Sequence, residues 1–304
     1  MLFVVHALSP SAVHTPVARR STRGRRYYPR VSLVLITFLV SIAAGGFGAL
    51  VGIGGGLIIV PVLTVLLDVP IKTAIAASLI GVIATSMAAS AHYLDSGLAD
   101  RRLGLLLLLA TAAGGVSGGL LGSLIDGRVL ALLFGALLVF VAVQMIRQGA
   151  STAAPVPHDD PESGGFVSSY IEPSDGSEVR YRAHRLEAGA AASFAAGNVS
   201  GLLGVGGGVI NVPTMNLAMG VPIRVATTTS TFMLGPTAAA SALLYFAAGV
   251  LDPVLAGPVA LGVFIGARIG ARMSSRVSQG ALRIAFIGVA LVFAAQMFYR
   301  AATG

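Results

Sequence analysis

The sequence writes one apolar unit twice. Gly52-Ile-Gly-Gly-Gly56 matches Gly204-Val-Gly-Gly-Gly208 at an offset of 152 (204 − 52). Without a gap, the same offset pairs Pro61 with Pro213, Val69-Pro70-Ile71 with Val221-Pro222-Ile223, Ser78 with Ser230 and Asp100 with Asp252. It continues through Gly114 with Gly266, Gly118 with Gly270 and Gln144-Met145 with Gln296-Met297. Chance can set Leu against Leu, but it does not hold Gly, Pro, Asp and Gln in register over such a length. Two homologous halves are expected.

Each half contains apolar runs long enough to cross a bilayer, which takes about 20 residues. They fall near 31–51, 73–94, 103–125 and 128–147, and again near 183–203, 225–249, 254–272 and 281–299. Composition agrees: 55% of the 304 residues are hydrophobic and 11% are charged, against roughly 25% charged in a soluble domain. So few charges cannot cover a globular surface of this size. The expected fold is all-α and integral to the membrane: about eight transmembrane helices in two four-helix repeats. Residues 1–30 form an Arg-rich N-terminal tail, 31–147 the first membrane repeat, 148–182 a polar linker and 183–300 the second membrane repeat.

The net charge of +8 does not point to nucleic acid. Arg19, Arg20, Arg23, Arg25, Arg26 and Arg30 crowd the approach to the first span, where they face anionic headgroups and favour a cytoplasmic N-terminus. The short apolar piece Leu2–Leu8 precedes the arginines, the reverse of a signal peptide. With no cysteine, disulfides, thiolate metal sites and a cysteine nucleophile are excluded. In the linker, two β-rich runs flank Pro173-Ser-Asp-Gly-Ser177, the pattern of a small hairpin.

Internal duplication with helix breakers inside apolar segments is the build of secondary transporters, whose substrate site lies where the repeats meet. Four Gly in five residues cost about 1 kcal/mol each relative to Ala in a helix. Non-helical backbone at membrane depth survives only when buried in protein or lining a wet cavity. The first element of each half is therefore expected to break here, with a second short helix starting near Gly56 and Gly208. Free glycine N–H groups at such a break favour a small oxyanion. The P-loop and dinucleotide readings fail, because neither a Lys-Ser/Thr nor a strand–helix unit accompanies the glycines. Close helix packing is the competing account of these glycines. It fits best at Gly114, Gly118 and Gly122 and at Gly262, Gly266 and Gly270, each set spaced by four with no adjacent breaker.

Neutral polar residues cluster beside the second break: Asn198, Ser200, Asn211, Thr214, Asn216 and the run Thr227–Thr231. The first half is drier, with Ile59 opposite Asn211 and Ala77 opposite Thr229. The candidate substrate-binding set is Gly54, Gly55, Gly56, Asn198, Gly206, Gly207, Gly208, Asn211, Thr228, Thr229 and Ser230. For any single Thr, back-bonding to the preceding turn is the competing role. The centres of the runs carry no evident carboxylate pair, nucleophile–base pair or metal-ligand spacing. No catalytic residue, metal or cofactor is expected.

Ala44-Gly-Gly-Phe-Gly-Ala-Leu-Val-Gly-Ile-Gly-Gly-Gly56 with Val60-Pro61, and Gly197-Asn-Val-Ser-Gly-Leu-Leu-Gly-Val-Gly-Gly-Gly208 with Val212-Pro213, resemble the TauE/SafE family of sulfite-exporter-like permeases. The resemblance spans about residues 31–300. It implies a multi-pass protein of the inner (cytoplasmic) cell membrane that moves a sulfur-containing oxyanion or organosulfonate and is not an enzyme. Its partners would be that small anion and the lipid bilayer, with self-association left open. The alternative from another class is a membrane-embedded enzyme or assembly subunit acting through the 148–182 loop.

Overall fold

Glycines, prolines and capping aspartates cut the chain into helices close to the expected spans. The computed structural model describes residues 30–51, 55–95, 99–148, 166–171, 177–273 and 279–303. Gly54, the tail arginines before Arg30 and the turn Pro173–Gly176 lie outside the described residues. In the first half come α1 (Arg30–Val51), α2 (Gly56–Leu66), α3 (Ile71–Asp95), α4 (Arg101–Leu124) and α5 (Gly127–Gln148). In the second come α6 (Leu186–Leu203), α7 (Gly208–Pro213), α8 (Ile223–Ala247), α9 (Pro253–Met273) and α10 (Gln279–Thr303). A π turn over Thr214–Ala218 extends α7. Strands β1 (Phe166–Ile171) and β2 (Glu178–Ala183) pair antiparallel between the halves, from Phe166 opposite Ala183 to Ile171 opposite Glu178.

Local chemistry sets the helix starts. Asp100 caps α4 by accepting from the Arg102 and Leu103 N–H groups at 3.1 and 3.0 Å. Asp252 accepts from Val254 N–H at 2.9 Å at the start of α9. Side-chain oxygens at this position satisfy N–H groups that a helix leaves unpaired. The starts of α2 and α7, α3 and α8, α4 and α9, and α5 and α10 all differ by 152 residues (208 − 56, 223 − 71, 253 − 101, 279 − 127).

Six helices, α3, α4, α5, α8, α9 and α10, are long and apolar enough to cross a membrane. Of the leading helices, α1 runs for 22 residues, Arg30–Val51, and α6 ends before Gly204 after 18 residues. Each is followed by a short helix that folds back. A Cβ built on Gly55 would lie 3.5 Å from Gly45 Cα, and one on Gly207 would lie 2.9 Å from the Ala196 carbonyl oxygen. With 11 residues, α2 is about 16 Å long, roughly half the bilayer's hydrocarbon thickness.

Two glycine seams organise the packing. Along α1 and α9, Gly262 faces Phe38, Gly266 faces Ile42 and Gly270 faces Gly46. Along α4 and α6, Gly114 faces Phe194, Gly118 faces Asn198 and Gly201 faces Gly115. In both pairs the numbers rise together, so the helices run parallel. The expected packing role of the spaced glycines holds, since backbone meets backbone at both seams. Helices α3 and α8 cross between the seams, and α5 packs against α10 at the side. Leu105, Leu109, Leu120, Ile284, Leu291 and Val292 point outward, giving the bundle an apolar perimeter.

Candidate functional site

The second break is built from backbone that only glycine takes easily. Gly204, Gly206 and Gly207 have φ of +71°, +89° and +73°, in the left-handed region that costs other residues about 1–2 kcal/mol. Gly204 ends α6, and its N–H donates to the Ser200 carbonyl at 2.7 Å. After the turn, the Gly207 carbonyl accepts from Ile210 and Asn211 N–H, both at 3.1 Å. In the first half the Gly55 carbonyl likewise accepts from Ile58 at 3.2 Å and Ile59 at 3.1 Å, but Gly55 itself is right-handed, with φ of −69°.

The two breaks meet. A Cβ on Gly56 would collide with the Gly204 carbonyl oxygen and sit 3.0 Å from Ser78 Oγ. Ser78 Oγ donates to that carbonyl at 2.8 Å, tying α3 to the opposite tip. No side chain fits between the tips, so glycine is required there for space as well as for conformation.

Around the second break lie polar side chains with nothing to bond. Asn211 is 1% exposed, and neither its Nδ2 nor its Oδ1 has a hydrogen-bond partner among the described residues. The same holds for the hydroxyls of Ser200, 0% exposed, and Ser230, 1% exposed. Helices α6, α7 and α8 bring them to one glycine turn. Ser200 Cβ lies 3.5 Å from a Cβ position on Gly207, and Ser230 Oγ lies 3.4 Å from one on Gly208. Asn211 stands one turn along α7 on the face shared with those glycines. An unsatisfied buried polar group costs about 1–3 kcal/mol, so three together are a costly arrangement for a folded core.

The expected site residues separate into two groups. Gly55, Gly56, Gly206, Gly207, Gly208, Asn211 and Ser230 gather at the meeting tips, whereas Gly54 lies outside the described residues. Asn198, Thr228 and Thr229 have other employment. Asn198 Nδ2 donates to Ser117 Oγ at 2.9 Å across the α4–α6 seam. Thr228 Oγ1 donates back to the Arg224 carbonyl at 3.0 Å. Thr229 Oγ1 accepts from Asp100 N–H at 3.0 Å. Ser200 joins the cluster although only its neighbours were selected. Its place four residues before Gly204, on the helix face turned to the break, was the available signal.

A second polar construction closes one end of the bundle. Tyr181 on β2 donates to Asp100 Oδ2 at 2.6 Å, and burial, reinforced by that bond, pushes its phenol above the ordinary range. Tyr170, Tyr181 and Ala183 pack with Leu103, Leu107, Met215, Met219 and Val225. His184 N–H donates to the Met219 carbonyl at 2.9 Å. The hairpin is thereby fastened to α4, the π turn and α8. Among the described residues, no group of three His, Cys, Asp or Glu is placed to hold a metal.

A bundle with apolar flanks and glycine breaks meeting beside unpaired polar side chains is the setting in which the sequence profile becomes decisive. The TauE/SafE sulfite exporter profile matches residues 37–297. The chain belongs to that family. Among similar proteins, the probable membrane transporter protein YunE of Bacillus subtilis is 27% identical over 207 residues, covering 66% of this chain and 73% of that one. Probable membrane transporter YdhB of the same organism is 25% identical over 236 residues, 76% and 84% of the two chains. Probable membrane transporter MJ0441 of Methanocaldococcus jannaschii is 26% identical over 225 residues, 71% and 72%. No solved structure matches the chain significantly. Family and spans together make it a multi-pass membrane transporter.

Proposed function

We propose that the protein is a permease of the inner cell membrane that exports a small sulfur-containing oxyanion or organosulfonate. Its substrate would sit at the meeting tips, held by Asn211, Ser200, Ser230 and the backbone of Gly54–Gly56 and Gly206–Gly208. The orphaned Asn211 amide carries this reading, because a buried amide with both ends free has no structural use. Transport proceeds by alternating access between two homologous repeats, residues 31–147 and 183–300. Each repeat comprises four long helices and one short re-entrant arm, α2 or α7, eight long helices in all.

The packing supports opposite insertion of the repeats. Helix α1 runs parallel to α9, while α4 runs parallel to α6. Helix α8 also runs with α4, since Gly104 faces Thr229 and Gly119 faces Ser241. A link of five residues (253 − 247 − 1) turns α8 into α9. On that path α6 opposes α1, the inverted arrangement of many secondary transporters.

Proteoliposomes loaded with sulfite provide the test. Wild-type protein accelerates efflux over empty liposomes. Gly208→Ala places a methyl 3.4 Å from Ser230 Oγ, an ordinary contact that the fold accommodates, yet it narrows the pocket and slows efflux severalfold. Unchanged efflux in that variant at equal protein levels removes the tips as the site.

A further inference from the structure

Resting on the transport reading, we infer that this pocket selects a singly charged oxyanion that itself carries an O–H or N–H donor. The inference turns on which ends of the side chains are free. The two serine hydroxyls and Asn211 Nδ2 are donors suited to anionic oxygen. Asn211 Oδ1 is not. It is an acceptor, buried and without a partner among the described residues, and it repels a fully deprotonated oxyanion while welcoming a hydrogen-bond donor. Turning the amide over exchanges the two ends but leaves one donor and one acceptor facing the same pocket.

Charge number follows from the neutrality of these groups. The elements around the tips are α1, α2, α3, α6, α7, α8 and α9; Arg268 on α9 is exposed, and Asp100 at the α4 cap, beside Thr229 on α8, is bonded by Tyr181. Lys72 on α3 donates to the Ser123 carbonyl at 2.8 Å, while Glu187 on α6 and Arg224 on α8 are exposed. His92 and Asp95, at the far end of α3, have side chains outside the described set. The buried Tyr245 phenol on α8 is directed at the Leu202 carbonyl, 3.3 Å away. The described pocket is thus a neutral hydrogen-bonding lining, and desolvation of an ion rises steeply with its charge. Amide and hydroxyl dipoles meet one charge at far lower cost than two.

Three sulfonates separate these properties without any titration near neutral pH. Isethionate (2-hydroxyethanesulfonate) has one charge and a hydroxyl, ethanesulfonate has one charge and no donor, and ethane-1,2-disulfonate has two charges. Labelled efflux of each is measured from proteoliposomes holding wild-type protein, with empty liposomes as the baseline. Isethionate is expected to exceed ethanesulfonate by at least about tenfold, since a site built to bond a hydroxyl leaves its own group unpaired with the analogue. The disulfonate is expected to stay at baseline. Asn211→Leu should slow both monosulfonates, isethionate the more, so that the isethionate-to-ethanesulfonate ratio falls toward one. Equal efflux of the two monosulfonates in wild type, or efflux of the disulfonate above baseline, overturns the inference and leaves the transport reading standing. Wild-type efflux at baseline for all three and for sulfite defeats both.

Discussion

Adding one methyl group to the α1–α9 seam tests whether the parallel helices are held together by backbone contact. A Cβ at Gly45 would lie 2.6 Å from the Val263 carbonyl oxygen and 2.7 Å from Val263 Cα. Carbon and oxygen in helix seams approach to about 3.3 Å, so Gly45→Ala must part the helices by about 0.7 Å. Both obstructing atoms are backbone, so no rotamer change relieves them. A gap of that size forfeits a quarter to a half of each affected contact, with each atom pair worth about 0.1–0.2 kcal/mol. Spread over the turns on either side, the loss amounts to about 1–3 kcal/mol, the usual range for overpacking. At Gly197 a Cβ would collide with the Thr111 carbonyl oxygen and approach Gly115 N to 2.9 Å, so Gly197→Ala costs more. Gly288 on α10 has nothing within 4 Å of its Cβ position, and there Ala gains up to about 1 kcal/mol of helix propensity. The chain has neither Trp nor Cys, so indole fluorescence and thiol dyes do not report its unfolding. Thermal stability is instead followed by size-exclusion of a fluorescent fusion in detergent. The midpoints should fall in the order Gly288→Ala, wild type, Gly45→Ala, Gly197→Ala. Coincident midpoints for the Gly45 and Gly288 variants would refute a seam held by backbone contact.

Two other perturbations probe the hairpin and the tips. Tyr181→Phe removes the 2.6 Å bond to Asp100 and should cost about 1–3 kcal/mol, read as earlier proteolysis within 148–182. The folded phenol ionises above its usual value of about 10, so the anchor is complete below that pH and weakens as pH rises past it. The Phe variant should show no such alkaline step in the same protease assay, and a step that persists would place its origin elsewhere. Gly204→Ala meets a left-handed φ and the Ile75 carbonyl oxygen at 2.9 Å, and is expected to lower both thermal stability and sulfite efflux. Normal values for both would show that the tips can separate without consequence.

Much of the scaffold was legible because its determinants are local. Four Gly in five residues stop a helix whatever surrounds them, which is why α2 and α7 start at Gly56 and Gly208. Glycines spaced by four announce a seam, and alternating β-rich runs around a Pro-Gly turn announce a hairpin. Side-chain employment was less legible because partners come from far along the chain. Thr229 serves Asp100 across 129 residues and Asn198 serves Ser117 across 81, and nothing near either residue signals it. Ser200 is hidden for the opposite reason: in a helix of Ala, Gly and Ser, one hydroxyl looks like packing. Only the meeting of α6, α7 and α8 turns it toward a vacant bond.

Backbone likeness and side-chain difference between the halves point to a division of labour. The Gly55 and Gly207 carbonyls receive the same pair of bonds from their following helices, although Gly55 is right-handed and Gly207 left-handed. Their contents diverge at once. Ile59, fully buried, holds the place that Asn211 holds in the other arm. Ser78 spends its hydroxyl on the Gly204 carbonyl, whereas Ser230 has no partner among the described residues. The first arm therefore offers mostly apolar surface, a clasp and one hydroxyl, Thr64, unpaired among the described residues, and the second offers the larger set of unspent hydrogen bonds. Under the proposed alternating access, a bound anion would move with the second arm, where Asn211 and Ser230 stand unpaired among the described residues. The first arm would then be the wall that opens or closes over it. Introducing polarity into the first arm would accordingly blur the gate without improving the site.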